Sequence, residues 1–297
     1  MREPRDGWLD RGGIPLHYVE WTPNEASLAP PVLLLHGLSS NARYWDRVAA
    51  HMPNRRLIAL DQRGHGLTGR PPHAPNVPHG FTMDALVEDA AFVVTEVGLG
   101  SPVVVGHSWG ATVALEFAGT RPNLASGLVF IDGPVQSASN LFSWEDAQRI
   151  MQPPLPRFAG FADAVRESQG DFLEAWGVDL EPFVRARVLE DGTQLILTLT
   201  APARLELLRG LFDSQPDVLW PAVDMPAAVL LALRSFARIS RSTDGGVARL
   251  SEIAPAVEVK WFDTPHDIPL YMPAEVAAEI DRIAHRAARA SSSEAPA

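Results

Sequence analysis

Cysteine is absent from the 297 residues. That excludes a disulfide framework, thiolate-ligated zinc, iron–sulfur clusters and a thiol nucleophile. Lysine is almost absent too: Lys260 stands alone among many arginines, a bias of composition with no functional content. Positive charge is in deficit, with 25 Lys and Arg against 36 Asp and Glu and a net charge of −11, which repels nucleic acids and anionic membrane surfaces. No apolar run, Ala227 to Leu233 being among the longest, approaches the ~20 residues of a membrane helix. The opening MREPRDGWLD has no apolar stretch of signal-peptide type. There is no Gly-x-Gly-x-x-Gly after the first strand and no ligand-spaced histidine cluster, so neither cofactor nor metal is implied. These absences lead us to expect a cytoplasmic protein with no nucleic-acid or membrane partner.

What is present reads as an ordinary globular chain, 46% hydrophobic and 21% charged. Its length suits one large domain, or a domain carrying an insertion. Val32-Leu33-Leu34-Leu35, Leu57-Ile58-Ala59-Leu60, Pro102-Val103-Val104-Val105 and Leu128-Val129-Phe130-Ile131 are short continuous apolar runs, the pattern of strands buried on both faces. The mixed alternation around His17, Val19 and Trp21 predicts an edge strand. Helical stretches are expected from Asn41 to His51, Thr82 to Val97 and Trp109 to Thr120. Such alternation predicts an α/β fold: a mostly parallel twisted sheet with helices on both faces. Ligands of these sheets bind beyond the carboxyl ends of the strands.

From Pro134 to Pro221 the pattern changes to helices broken by Pro and Gly, rich in Phe and Trp and without a good buried strand. These aromatics fit a satellite core, a roof over a pocket, or both. Strands return at Ala227–Leu233 and Val257–Phe262, and Pro273 opens a last helix. The polar stretch 291–297 has nothing to bury and is expected to be a disordered tail.

Gly106-His107-Ser108-Trp109-Gly110 follows a strand directly and opens a helix. A serine on such a turn is lifted above the sheet beside the free N–H groups of a helix N-terminus. With this motif come His36-Gly37-Leu38 after a buried strand, Asp61-Gln62-Arg63-Gly64-His65-Gly66, and Pro265-His266-Asp267 before the last helix. In order and spacing the set resembles the α/β-hydrolase superfamily from about residue 14 to residue 290. The likeness is weak over the insertion, which corresponds to that family's variable helical cap. The implied layout is a hydrolase core at 1–133 and 221–290 with a cap at 134–220.

The resemblance implies Ser108 as nucleophile and His266 as its base, which is also what the chemistry asks for, since a serine hydroxyl attacks only once a neighbouring base takes its proton. It implies an oxyanion hole made by the backbone N–H groups of Leu38 and Trp109. The side chains of Leu38, Trp109, Phe142 and Trp144 are expected to wall the substrate pocket. Asp61 corresponds to a structural turn. The usual place for the triad acid, after the Ala227–Leu233 strand, reads Arg234-Ser235-Phe236 and holds no carboxylate. Asp132, ending the Leu128–Ile131 strand, is therefore the expected acid, with Asp244 and Asp263 as rivals. The set predicts a serine hydrolase cleaving a small, fairly apolar ester or lactone through an acyl-enzyme on Ser108. The alternatives are a carbon–carbon bond hydrolase of the meta-cleavage type, which would need a pocket arginine such as Arg157, Arg234 or Arg238, and a non-catalytic ligand-binding member of the fold.

Overall fold

The computed structural model of the chain describes residues 3–25, 29–68, 80–235 and 237–293. Its centre is an eight-stranded sheet formed by β1 (Arg5–Arg11), β2 (Ile14–Trp21), β3 (Val32–Leu35), β4 (Leu57–Leu60), β5 (Val103–His107), β6 (Gly127–Ile131), β10 (Ala227–Ala232) and β11 (Glu258–Phe262). The spatial order is β1-β2-β4-β3-β5-β6-β10-β11. The β1–β2 and β2–β4 pairs are antiparallel and the rest of the sheet is parallel. The strand expected at the edge, β2, in fact has neighbours on both sides. The edge belongs to β1, whose half-polar RDGWLDR gives no strong strand signal.

Both faces of the sheet are covered, and the strand side chains alternate between two cores. Val32 and Leu34 of β3, with Val103 and Val105 of β5, enter one; Leu33, Leu35 and Val104 enter the other. Each such side chain, wholly shielded from water, contributes roughly 1.5–3 kcal/mol. One face is covered by α1 (Asp46–Ala50), α10 (Ile268–Tyr271) and α11 (Pro273–Ser293), the other by α2 (Met83–Glu96), α3 (Trp109–Thr120) and α9 (Ala237–Ile253). The last helix carries residues 291–293, so the expected tail is helical there; residues 294–297 lie outside the described ones.

Between β6 and β10 lie α4 (Trp144–Met151), α5 (Phe161–Phe172), α6 (Glu181–Arg187), α7 (Ala201–Asp213) and α8 (Pro216–Leu219). From its sequence this segment reads as helices broken by Pro and Gly, with no good buried strand. It also holds a small antiparallel sheet, β7 (Arg157–Phe158), β9 (Gln194–Leu197) and β8 (Val188–Asp191) in that order. These strands are two to four residues long and partly exposed, so they leave no apolar run to read.

The chain passes from β3 to β4 on one side and returns to β5 on the other, making the β3–β5 boundary a switch point where a crevice opens. Two glycines close the helix onto it. A Cβ on Gly106 would lie 2.2 Å from the Gly110 carbonyl oxygen, and one on Gly110 would lie 2.4 Å from the carbonyl oxygens of Leu35 and His36. Only backbone fits there. Gly110→Ala is expected to destabilise the fold by about 3 kcal/mol or more, read as a lower denaturant midpoint at unchanged slope.

Candidate active site

Ser108 stands between β5 and α3 with φ 55° and ψ −121°, a left-handed region that non-glycine residues rarely enter. Holding it there stores of order 1–3 kcal/mol. The bend is fastened by the Ser108 N–H donating to Ile131 O at 2.8 Å and by the Ala111 N–H donating to Ser108 O at 2.9 Å. The neighbouring strand end matches it. In the β5–β6 register His107 faces Ile131, and the Asp132 N–H then donates to Leu230 O at 2.7 Å. Asp132 also has a positive φ, 50°. Two strained residues thus sit side by side at the carboxyl edge.

His266 reaches the same place from the loop after β11. Its Nδ1 is hydrogen-bonded to Asp132 Oδ2. Burial works to lower the imidazole pKa, but the bond and charge of Asp132, with Asp267 nearby, outweigh it and raise the pKa above the ordinary value. Burial likewise works to raise the Asp132 carboxyl, and the bonds to His266, the Ala232 N–H and the Ser235 hydroxyl bring it below its usual range. With Nδ1 committed to the carboxylate, Nε2 is the nitrogen left to act as a base.

The rival acids are placed elsewhere. Asp263 is largely exposed and pairs with Arg234 at 3.0 Å; Asp244 is exposed on α9. Asp61 is a buried turn hub that binds His17 Nδ1 at 2.7 Å and accepts the N–H groups of Ala42 and Leu67 at 2.6 and 2.7 Å.

The His36–Ser39 loop lies against the serine: a Cβ on Gly37 would be 3.4 Å from Ser108 Cβ. Two buried imidazoles shape this loop. His36 donates from Nδ1 to Gly37 O at 2.8 Å and accepts the Gln62 N–H at Nε2. His65 donates from Nδ1 to Arg63 O and accepts the Ser39 N–H at 3.0 Å. Burial lowers both pKa values, His65 the further, which keeps the acceptor nitrogens unprotonated. Trp109 is the first residue of α3, so its N–H has no acceptor within the helix. His107, pushed down to about 4 by burial and by the neighbouring His266, places Nε2 3.1 Å from the His266 carbonyl oxygen. It steadies the histidine loop as a neutral ring.

Ser108, Trp109, Asp132 and His266 line one cavity of about 130 Å³. Its other walls are mostly apolar: Val135, Leu141, Phe142, Met151, Leu211 and Leu231. Trp109 and Phe142 therefore stand where a pocket wall was expected. Leu38 and Trp144 are corrections, since neither is among the lining residues. Leu38 packs into the core on the α2–α3 side. Trp144 turns to Phe212, ring centroids 5.3 Å apart, with Arg209 4.9 Å from its ring. Leu211, Met151 and Ser235 escaped the sequence reading; helix faces and side-chain direction within the insertion are not visible from composition. Among the described residues no three His, Asp or Glu side chains gather as metal ligands would, and no helix is long and apolar enough to cross a membrane.

Comparison with known proteins agrees with this architecture. A family model described as the alpha/beta hydrolase fold matches residues 30–174. Lipase LipV of Mycobacterium tuberculosis is 30% identical over 90% of this chain and 97% of its own length. Epoxide hydrolase B of the same species is 32% identical over 42% of this chain and 35% of its own. Among solved structures, E-2-(acetamidomethylene)succinate hydrolase superposes with a TM-score of 0.80 at 20% identity, covering 95% of this chain and 99% of that one. A thioesterase domain from the curacin biosynthetic pathway gives 0.78 at 16% identity, over 95% and 100%. The chain belongs to the alpha/beta-hydrolase superfamily of hydrolases.

Proposed function

We propose that the protein is a serine hydrolase cleaving a small, fairly apolar carboxylic ester or lactone through an acyl-enzyme. Ser108 is the nucleophile, His266 its base and Asp132 the carboxylate that holds the imidazole. Residues 134–220 form a cap over the core of 1–133 and 221–290. One observation carries the reading: a serine on a strained turn lines the same cavity as an imidazole whose Nδ1 is bound to a buried carboxylate. Attack by Ser108 on the substrate carbonyl passes its proton to His266 Nε2. The oxyanion so formed is met by the N–H groups of Leu38 and Trp109. Collapse returns the proton to the leaving alcohol, and water then repeats the sequence on the acyl group. A serine here speaks against the epoxide-opening route, which needs a carboxylate nucleophile.

The test is a rapid-mixing experiment with p-nitrophenyl butyrate beside fluorophosphonate labelling. We expect up to one equivalent of nitrophenol in the first turnover and a phosphonate adduct on the Ser108 peptide. Absence of both favours the non-catalytic reading. The cavity of about 130 Å³ is close in size to the ~150 Å³ apolar cavity that takes a benzene-sized molecule, which suits a short acyl chain. Phe142→Ala should move the optimum to longer chains, raising kcat/KM for an octanoyl ester about tenfold or more, as one or two methylenes would.

A second reading, a carboxylate-bearing substrate as in carbon–carbon bond hydrolases, draws on two arginines within the cap itself. Arg187 is largely buried, its Nε has no hydrogen-bond partner among the described residues, and its nearest acids, Glu167 and Asp171, are 3.9 and 4.0 Å away. Arg204 is near enough to feel its charge. The arginines considered from sequence do not serve as well: Arg157 and Arg234 are exposed and paired with Asp191 and Asp263, and the Arg238 side chain lies outside the described ones. Bleaching of a dienoate substrate by the enzyme would favour this reading over the ester.

A further inference from the structure

The Asp132 carboxylate is held by more than the imidazole. Oδ2, the oxygen bound to His266 Nδ1, also accepts the Ser235 hydroxyl at 2.7 Å, and Oδ1 accepts the Ala232 N–H at 3.0 Å. Ser235 is 9% exposed and lines the same cavity as Ser108. It lies three residues beyond β10, in the stretch where an acid is missing. The turn leading to it is fastened to the histidine loop: the Leu233 N–H donates to Phe262 O at 2.8 Å and the Arg234 N–H to Thr264 O at 3.0 Å. One hydroxyl therefore ties the end of β6 to a turn already fixed to the loop after β11.

Two donors on one carboxylate oxygen compete for the same charge. A carboxylate bound to the imidazole alone would concentrate its charge on the Nδ1–H and hold the imidazolium more tightly. We propose that Ser235 is a positioning residue of the triad, steadying Asp132 and taking up part of the charge on Oδ2 so that His266 gives up its proton more readily. The inference rests on the Ser–His–Asp reading above. Among the described residues, the other titratable groups facing the pair are His107, whose ring centroid is 4.8 Å from that of His266, Asp267, and Tyr44, whose hydroxyl donates to Asp267 at 3.0 Å. None of them bonds to Asp132 Oδ2, and all are retained when Ser235 is changed.

The experiment compares Ser235→Ala and Ser235→Thr with the parent in two readouts. One is an NMR titration of the His266 ring, assigned by its loss in His266→Gln. The other is the pH dependence of kcat/KM on p-nitrophenyl butyrate. In Ser235→Ala the His266 midpoint should rise by about half a pH unit, lowering kcat/KM about threefold on the acid side. The midpoint is the deciding readout, because a merely structural loss would lower the alkaline plateau and leave the midpoint in place. Ser235→Thr, which keeps the hydroxyl, should keep the parent midpoint. A midpoint that is unmoved or falls in Ser235→Ala overturns the proposal, as does a threonine variant that titrates like the alanine one. Should no variant turn over the ester, the acyl-transfer reading fails, and the ring titration still decides the role of Ser235.

Discussion

Ser108→Ala should reduce kcat on an aryl ester by about 10⁵- to 10⁶-fold while leaving the fold intact. The alanine keeps the strained backbone and the helix N–H groups, so binding and oxyanion stabilisation persist without a nucleophile. What survives is the roughly 10³-fold advantage over water that such groups supply alone. Far-UV circular dichroism and the denaturant midpoint should match the parent, and fluorophosphonate labelling should vanish. Turnover surviving the substitution would remove Ser108 from the reaction and the acyl-enzyme with it.

The next largest effect is expected at Asp132. Asp132→Asn should lower kcat by about 10⁴-fold, because an amide at this place can present its NH₂ to Nδ1 and favour the wrong tautomer of His266. Asp244→Asn and Asp263→Asn should stay within about twofold, as expected of exposed charges outside the cavity lining. The pH profile gives a second check. The carboxylate is what raises the His266 pKa against the pull of burial. Once it is neutral, burial acts unopposed by that charge and the pKa falls. The acid limb of the residual kcat/KM should therefore move to lower pH, and a shift upward would contradict the assigned pair.

How far these residues could be read from sequence depends on whether they act through backbone pattern or through packing. The sheet was legible because strands buried on both faces must be apolar throughout, as in Val32–Leu35 and Val103–Val105. Ser108 was a candidate because its turn demands glycine at 106 and 110, a steric need with a written signature. The missing acid after β10 pointed to Asp132. The same stretch held Ser235, which passed unnoticed, since a serine in a loop has no pattern and its meaning arises only from the oxygen it touches. Trp144 misled for a related reason. Aromatic content says that something apolar is being covered, but not which face of a short helix covers it, and this ring turns to Phe212. β1 and the strands β7–β9 were invisible because exposed strands carry no alternation to detect.

The insertion grips the His36–Ser39 loop directly. Arg204 on α7 bonds Ser39 Oγ and, at 2.9 Å, the carbonyl of Met151, a residue of the cavity wall; Asn41 Nδ2 donates to the Phe183 carbonyl on α6 at 2.9 Å. If the insertion caps the site as proposed, a substrate too bulky to be enclosed would displace it and drag this loop with it. In the proposed reaction that loop supplies half of the oxyanion hole. Size exclusion in this molecule would thus register as slower acylation, even for compounds that dock well.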